Sequence, residues 1–256
     1  MHKYKPIVPW MGGKRRLAKH ILPLIPQHTC YCEPFTGGAA ILFLKEPSKV
    51  EVINDINGGL INLYRVVKYH LNEFIAQFKF ILISRQQYEW QKMANTENLT
   101  DIQRAANFYY IQRLSFGATL NSRNYGYATI CAPKLNLLRI EEELSQAHIR
   151  LARVNIEHLD WEGCIKRYDR AHTFFYLDPP YWQMTGYKVD FEWSNYEQIA
   201  EFMKTAKGKF LLSINDHPDI KKLFKDFNIK TVGIKYTVGG SKVNTSQSNE
   251  LLIMNY

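Results

Sequence analysis

Apolar and polar positions change period several times along this chain, and those changes divide it into elements. Short apolar runs that close on a polar or acidic residue alternate with stretches of three-or-four spacing. "HTCYCEPFTGG" reads as a strand ending at Glu33 and a glycine turn, followed by a helix through "AAILFLKE". "KVEVINDIN" is a second strand, ending at Asp55. Further on, "RVNIEHLD", "HTFFYLDPPY", "KFLLSIND", "IKTVGIKYTV" and "NELLIMNY" have strand character. Between them "SNYEQIAEFMKTAKG" has a helical period, with Ser194 and Glu197 as a capping box and Gly208 as the stop. Alternation of this kind predicts an α/β protein built on a doubly wound sheet.

Residues 58–150 interrupt that alternation. Leu60, Leu63, Tyr64, Val67, Leu71, Phe74 and Phe78 keep helical spacing, and two capping boxes, Ser84 with Gln87 and Thr100 with Gln103, open further helices. The pattern predicts a mainly helical block inserted into a core formed by residues 1–57 and 151–256. Within the insert, "FGATLNSRNYGYATICAP" lacks helical period and predicts a hairpin near residues 116–132. With no repeat and no Gly/Ser linker, the insert is expected to pack on the core.

Composition narrows the picture. A hydrophobic content of 46% over 256 residues supports a packed core and argues against disorder. The formal charge of +9, interleaved with 16 Tyr, 14 Phe and 5 Trp, favours an acidic partner, with nucleic acid first and a mere solubility role as the other reading. Cys30, Cys32, Cys131 and Cys164 have no zinc-finger spacing and read as core thiols in a reducing compartment. The start "MHKYKPIVPW" has no apolar signal core, and no run approaches the ~18 apolar residues of a membrane span. A cytoplasmic location with no membrane partner is expected. The eight histidines form no H-x-x-x-H pair, so no metal is expected.

The stretch that departs most from ordinary core is "FFYLDPPYW". In open α/β sheets, ligands bind beyond the carboxyl ends of the strands, where Asp178 would stand. Pro179 and Pro180 fix two φ angles and remove two N–H donors. What remains is an acceptor-only pocket of the Asp178 carboxylate and the Pro179 carbonyl, with the Tyr181 ring beside them. Such a pocket suits a planar group bearing an NH2, such as the exocyclic amine of a nucleobase. No G-x-G-x-x-G occurs, which excludes the usual dinucleotide oxidoreductase, and Lys14 in "GGKRR" lacks the spacing of an ATP-binding phosphate loop.

Content and order together resemble a known family, the Dam-like DNA adenine N6-methyltransferases that use S-adenosylmethionine. "PWMGGKRRLAKHI", "EPFTGG", "VINDIN", a helical insert and "LDPPY" follow one another over nearly the whole chain. The resemblance implies a Rossmann-like class I methyltransferase fold with a mixed sheet, the insert being the target-recognition domain. It implies catalysis at Asp178, Pro179, Pro180 and Tyr181. It also implies cofactor contacts from Trp10, Lys14, Glu33, Phe35, Gly37, Gly38, Asp55 and Asp178, with Asp55 on the ribose hydroxyls. Glu33 would meet the sulfonium or ammonium group of the cofactor.

Double-stranded DNA is the implied partner, with no obligate protein partner. Arg113, Asn121, Ser122, Arg123 and Asn124 in "RLSFGATLNSRNYGY" could read base edges, and Lys242 in "TVGGSKVNTSQSNE" could touch phosphate. Two departures stand out. The glycine loop ends "GGAA", and the recognition stretch differs from that of GATC-specific members, so relaxed specificity is open, as is a place in a restriction-modification system or prophage. The alternatives are RNA adenine, cytosine N4 or a glutamine amide as substrate, or a catalytically silent nucleic-acid-binding module.

Overall fold

The computed structural model describes residues 4–10, 12–118, 124–126, 132–184, 191–237 and 245–256, the side chains of residue 118, 234–237 and 245–248 aside. Seven strands form one sheet: β1 (Cys30–Glu33), β2 (Val50–Asn54), β3 (Val154–Glu157), β4 (Thr173–Leu177), β5 (Lys209–Asn215), β6 (Asn228–Thr237) and β7 (Thr245–Met254). Their order is β3-β2-β1-β4-β5-β7-β6. The first five are parallel, and β7 runs antiparallel between β5 and β6, making the sheet mixed. The order reverses between β1 and β4, and a crevice opens where neighbouring strands send their connections to opposite faces.

Ten α-helices are described: α1 (Ala18–Ile21), α2 (Ala40–Leu44), α3 (Gly58–Tyr69), α4 (Leu71–Ala76), α5 (Arg85–Met93), α6 (Asp101–Leu114), α7 (Ile140–Leu151), α8 (Trp161–Tyr168), α9 (Trp193–Thr205) and α10 (Pro218–Leu223). Helices α3 to α7 lie between β2 and β3 in the chain. One core layer joins Tyr31, Phe174, Tyr176, Leu211 and Leu252 of the sheet to α2, α3, α6 and α7. On the other face Cys32, Phe175, Leu177, Phe210 and Leu212 pack with residues of α8, α9 and α10. Side chains two apart on a strand share a face, which is why Tyr31 and Cys32 end up in different layers.

Two capping sites fall where the sequence indicates, one as half of a box and one complete. Ser84 accepts from the Gln87 N–H, and Thr100 with Gln103 makes a full reciprocal box. The third differs. Helix α9 begins at Trp193, with Glu192 before it and no side-chain cap, so Ser194 lies inside the first turn. Glu197 instead accepts from the Trp193 indole at 2.9 Å, a lateral contact that draws it away from the helix end. The apolar series from Leu60 to Phe78 is also split, because the backbone leaves helical angles at His70 between α3 and α4.

The helices between β2 and β3 are fastened to the sheet by charge. Arg150 of α7, 4% exposed, binds both oxygens of Glu51 on β2, and its NH2 group also donates to the Leu42 carbonyl at 2.8 Å. Lys45 reaches Glu51 Oε1 at 2.5 Å. Cys30, Cys32 and Cys164 are buried free thiols, with the Cys32 and Cys164 sulfurs 3.7 Å apart, and Cys131 lies outside the described residues. Removing one partner of a buried ion pair strands the other charge. We therefore expect Arg150→Ala to lower the unfolding free energy by about 3–5 kcal/mol in urea titration, whereas breaking an exposed pair such as Arg139 with Glu142 should leave it nearly unchanged.

Candidate active site

A cavity of about 300 Å³ opens at the carboxyl ends of β1, β2 and β4, in the crevice the strand order creates. Its floor is the turn after β1. Thr36 ties this turn down: its hydroxyl donates to the Glu33 carbonyl at 3.0 Å and accepts from the Asn54 N–H at 2.9 Å. The Asn54 side chain then donates to the carbonyls of Pro34 and Leu159 and accepts from the Leu159 N–H, so one buried amide knits the loops after β1, β2 and β3.

Gly37 sits at φ 47, in the left-handed region, and a Cβ there would lie 2.7 Å from the Trp10 ring. A Cβ on Gly38 would reach 3.0 Å from Trp10 Cβ. Gly37 needs to be glycine on both counts, its φ and the indole against it, whereas at Gly38 a side chain would press on Trp10. Ala39 follows at φ 52 and carries a Cβ in a glycine-like conformation, at a cost of roughly 1–2 kcal/mol. The "GGAA" departure therefore falls on a residue that bears strain.

Asp55 follows β2 and is held by backbone: Oδ2 accepts from the Gly37 N–H at 2.8 Å and Oδ1 from the Asn57 N–H at 2.9 Å. Burial pushes its pKa up, against the pull of these two bonds. Glu33 is 1% exposed, and its Oε1 accepts from the Tyr31 hydroxyl at 2.6 Å and the Leu42 N–H at 2.8 Å. Burial raises its pKa to about 7. At the far end Phe35 stacks on Trp161 with centroids 6.0 Å apart, and Phe191 meets Phe35 edge-on at 5.7 Å. Asp160, Ile56 and Asn195 complete that end.

Asp178 follows β4 and borders the cavity with Pro180, its side chain keeping 22% exposure. Lys14, 4% exposed, comes from the N-terminal loop and places Nζ 2.8 Å from Asp178 Oδ1, 2.8 Å from the Gly12 carbonyl and 4.5 Å from the Tyr181 ring centroid. Burial raises the Asp178 pKa to about 6, with Lys14 opposing the rise. The Pro180 carbonyl is taken by the Tyr196 hydroxyl at 2.6 Å. Pro179 is buried, and no hydrogen bond reaches its carbonyl among the described residues. Trp182 turns away, donating to Asp219 and packing on Trp193 and Tyr196.

Thus Trp10, Lys14, Glu33, Phe35, Gly37, Gly38, Asp55 and Asp178 share one cavity lining. The residues expected on DNA do not assemble in this way. Asn121, Ser122, Arg123 and Lys242 lie outside the described residues. Arg113 is bound internally, donating to Lys134 O at 2.6 Å, Glu143 at 3.1 Å and Ile7 O at 3.4 Å. Its guanidinium is thus engaged within the chain. Only Asn124 is described and exposed, next to an antiparallel bridge between Ser115 and Tyr125. Sequence reasoning missed the aromatic end. The strand-end rule, applied to "HLDW" after β3, would have found Asp160 and Trp161; Phe191 and Asn195 carry no local signal.

A reversed-order mixed sheet, a glycine loop under a tryptophan, a strand-end acid on β2 and a second acid before two prolines define the class I methyltransferase arrangement. Residues 10–238 match the D12 class N6 adenine-specific DNA methyltransferases, and the chain belongs to that family. It is 29% identical to the Type II methyltransferase M1.LlaDCHI of Lactococcus lactis subsp. cremoris, over 98% of this chain and 95% of that protein. It is 25% identical to a DNA adenine methylase of Haemophilus influenzae, over 98% and 93%. It is also 25% identical to the Type II methyltransferase M.CviBI of Paramecium bursaria Chlorella virus NC1A, over 98% and 100%. Methylation of adenine N6 in DNA is the activity of the family, which implies S-adenosylmethionine as donor. No helix of the described residues is long and apolar enough to cross a membrane, and they contain no group of three or more His, Cys, Asp or Glu side chains arranged to hold a metal ion.

The raised Glu33 pKa has a consequence for stability. A carboxyl whose folded pKa lies above its unfolded value favours the folded state as pH falls from about 7 towards 4.5, and opposes it above. In cofactor-free protein, Glu33→Gln should therefore add on the order of 2 kcal/mol at pH 8 and progressively less towards pH 5, read from thermal or urea unfolding at both pH values.

Proposed function

We propose that this chain is a site-specific DNA methyltransferase that transfers the methyl group of S-adenosylmethionine to N6 of an adenine flipped out of double-stranded DNA. The observation that carries this reading is the Asp178 carboxylate at the cavity rim, pinned by Lys14 through one oxygen. The cavity suits the donor on chemical grounds. Gly37 and Gly38 offer a backbone cradle, Asp55 an acceptor for a ribose diol, Glu33 a buried carboxylate for a cationic group, and Phe35, Trp161 and Phe191 flat faces for a purine. When bound, S-adenosylmethionine supplies an electrophilic methyl carbon.

The chain's own residues do the remaining work. Adenine N6 is a poor nucleophile because its lone pair is delocalised. Acceptance of its two hydrogens by Asp178 and the Pro179 carbonyl favours a pyramidal nitrogen and stabilises the charge that develops there. The Tyr181 ring offers a stacking face for a base that has left the duplex at a cost of a few kcal/mol. The proton released from N6 is accepted at Asp178. The helices between β2 and β3 serve as the target-recognition domain, with the segment that follows the Ser115 bridge, including Asn121, Ser122, Arg123 and Asn124, reading base edges. Lys242 contacts phosphate.

Unmethylated genomic DNA incubated with labelled S-adenosylmethionine should yield N6-methyldeoxyadenosine at a recurring sequence on mapping; N4-methylcytosine or unlabelled DNA would reject this reading. Asp178→Asn should reduce kcat by about 100-fold to 1000-fold while leaving cofactor affinity intact by calorimetry. Because the ionised carboxylate is the acceptor, parent activity should fall as pH drops through about 6. Asp55→Ala should instead weaken cofactor binding by about tenfold or more, the scale of a lost hydrogen bond to a charged group.

A further inference from the structure

β5 is apolar through its buried length except at one position. In "KFLLSIN" the buried residues are Phe210, Leu211, Leu212, Ser213 and Ile214, with Ser213 fully inaccessible. A hydroxyl in such a strand costs stability unless it is hydrogen-bonded. Its location is set by register: Leu177 pairs with Leu212, which brings Asp178 alongside Ser213 on one sheet face. Tyr176, two residues before Asp178, shares that face. The Tyr176 and Ser213 hydroxyls are 2.8 Å apart, and Ser213 Oγ lies 3.1 Å from Asp178 Oδ1.

We propose that Ser213 is a positioning residue for methyl transfer, fixing Asp178 through Oδ1 under the direction of the Tyr176 hydroxyl and so leaving Oδ2 for the target amine; this rests on the reading of Asp178 as acceptor of that amine. The proton count sets the direction of the chain. An ionised carboxylate only accepts, so the Ser213 proton serves Oδ1 at 3.1 Å, with the Leu177 carbonyl a longer second acceptor at 3.4 Å, and Tyr176 then donates to Ser213. Lys14 binds the same oxygen at 2.8 Å. Among the described residues both ligands of this carboxylate therefore attach to Oδ1, which fixes its rotation as well as its charge.

The groups facing Asp178 come from several elements. Lys14 enters from the N-terminal loop and Tyr176 from β4, while the carboxylates of Glu33 at the end of β1 and Glu250 on β7 lie near enough to act on it. Burial and Glu250 raise its pKa; Lys14 and Ser213 oppose that rise. Loss of the serine hydroxyl removes a donor to the charged form, so the titration midpoint moves to higher pH.

The test uses the full chain with its DNA substrate. Ser213→Ala should lower kcat by about tenfold to a hundredfold with KM for DNA and cofactor affinity retained, matching a lost hydrogen bond to a charged group. The acid limb of kcat should move to higher pH, as should the carbon-13 titration of the Asp178 carboxyl in cofactor-free protein. Ser213→Thr, which keeps the hydroxyl, should restore both. Tyr176→Phe should act in the same direction, and it decides the matter on the same readouts if Ser213→Ala does not fold. Parent-like kcat and parent-like titration in the alanine variant would overturn the role. Asp178→Asn is measured in parallel: if it turns over normally, the acceptor reading itself fails, whereas an inactive Asp178→Asn beside a parent-like Ser213→Ala removes only the positioning role.

Discussion

The site depends on one ion pair. Lys14, brought from near the start of the chain, meets Asp178 where β4 ends, and both are largely withdrawn from water. Without that ammonium, a carboxylate surrounded by Glu33, Glu250 and apolar sheet residues would take up a proton and cease to be a pure acceptor. The contact spans 164 residues of sequence, yet its physical basis is local: an opposite charge in a poorly solvated place. The same ammonium lies over the Tyr181 ring, so one side chain fixes both the acid and the aromatic face of the "DPPY" turn.

Around this pair the architecture is economical. The strand-order reversal between β1 and β4 supplies the crevice, and the carboxyl ends of β1, β2 and β4 each deliver one acid to it. Backbone N–H groups, not cations, hold Asp55, which keeps its charge facing the cavity in a fixed direction. The Asn54 amide joins three loops at once, so the rim is braced by a residue that contributes no chemistry of its own.

What could be read from the sequence follows from locality. Glu33, Asp55 and Asp178 were legible because each ends an apolar run, and a strand end is a position in space as well as in sequence. Gly37 and Gly38 were legible as a loop, but their partner Trp10 was assigned only through family resemblance, since nothing local joins it to them. The internal partners of Arg113 were not legible, because Glu143, Lys134 and Ile7 arrive from elsewhere in the sequence. Ser194 looked like a cap because the spacing to Glu197 was right, and the Trp193 indole overrode it. Ser213 and Tyr176 gave no signal at all. Each is one polar group in an apolar strand, and only sheet register brings them together.

The packing of Trp10 against the glycine loop ties two distant positions into a single unit. With 2.7 Å between the ring and where a Gly37 side chain would begin, neither residue can be exchanged on its own. A smaller residue at 10 opens a hole beneath the loop, and it would still leave position 37 strained for any side chain, because the φ of 47 there favours glycine. Position 37 thus answers to two constraints and position 10 to one, so inheritance should hold the glycine the more tightly of the pair.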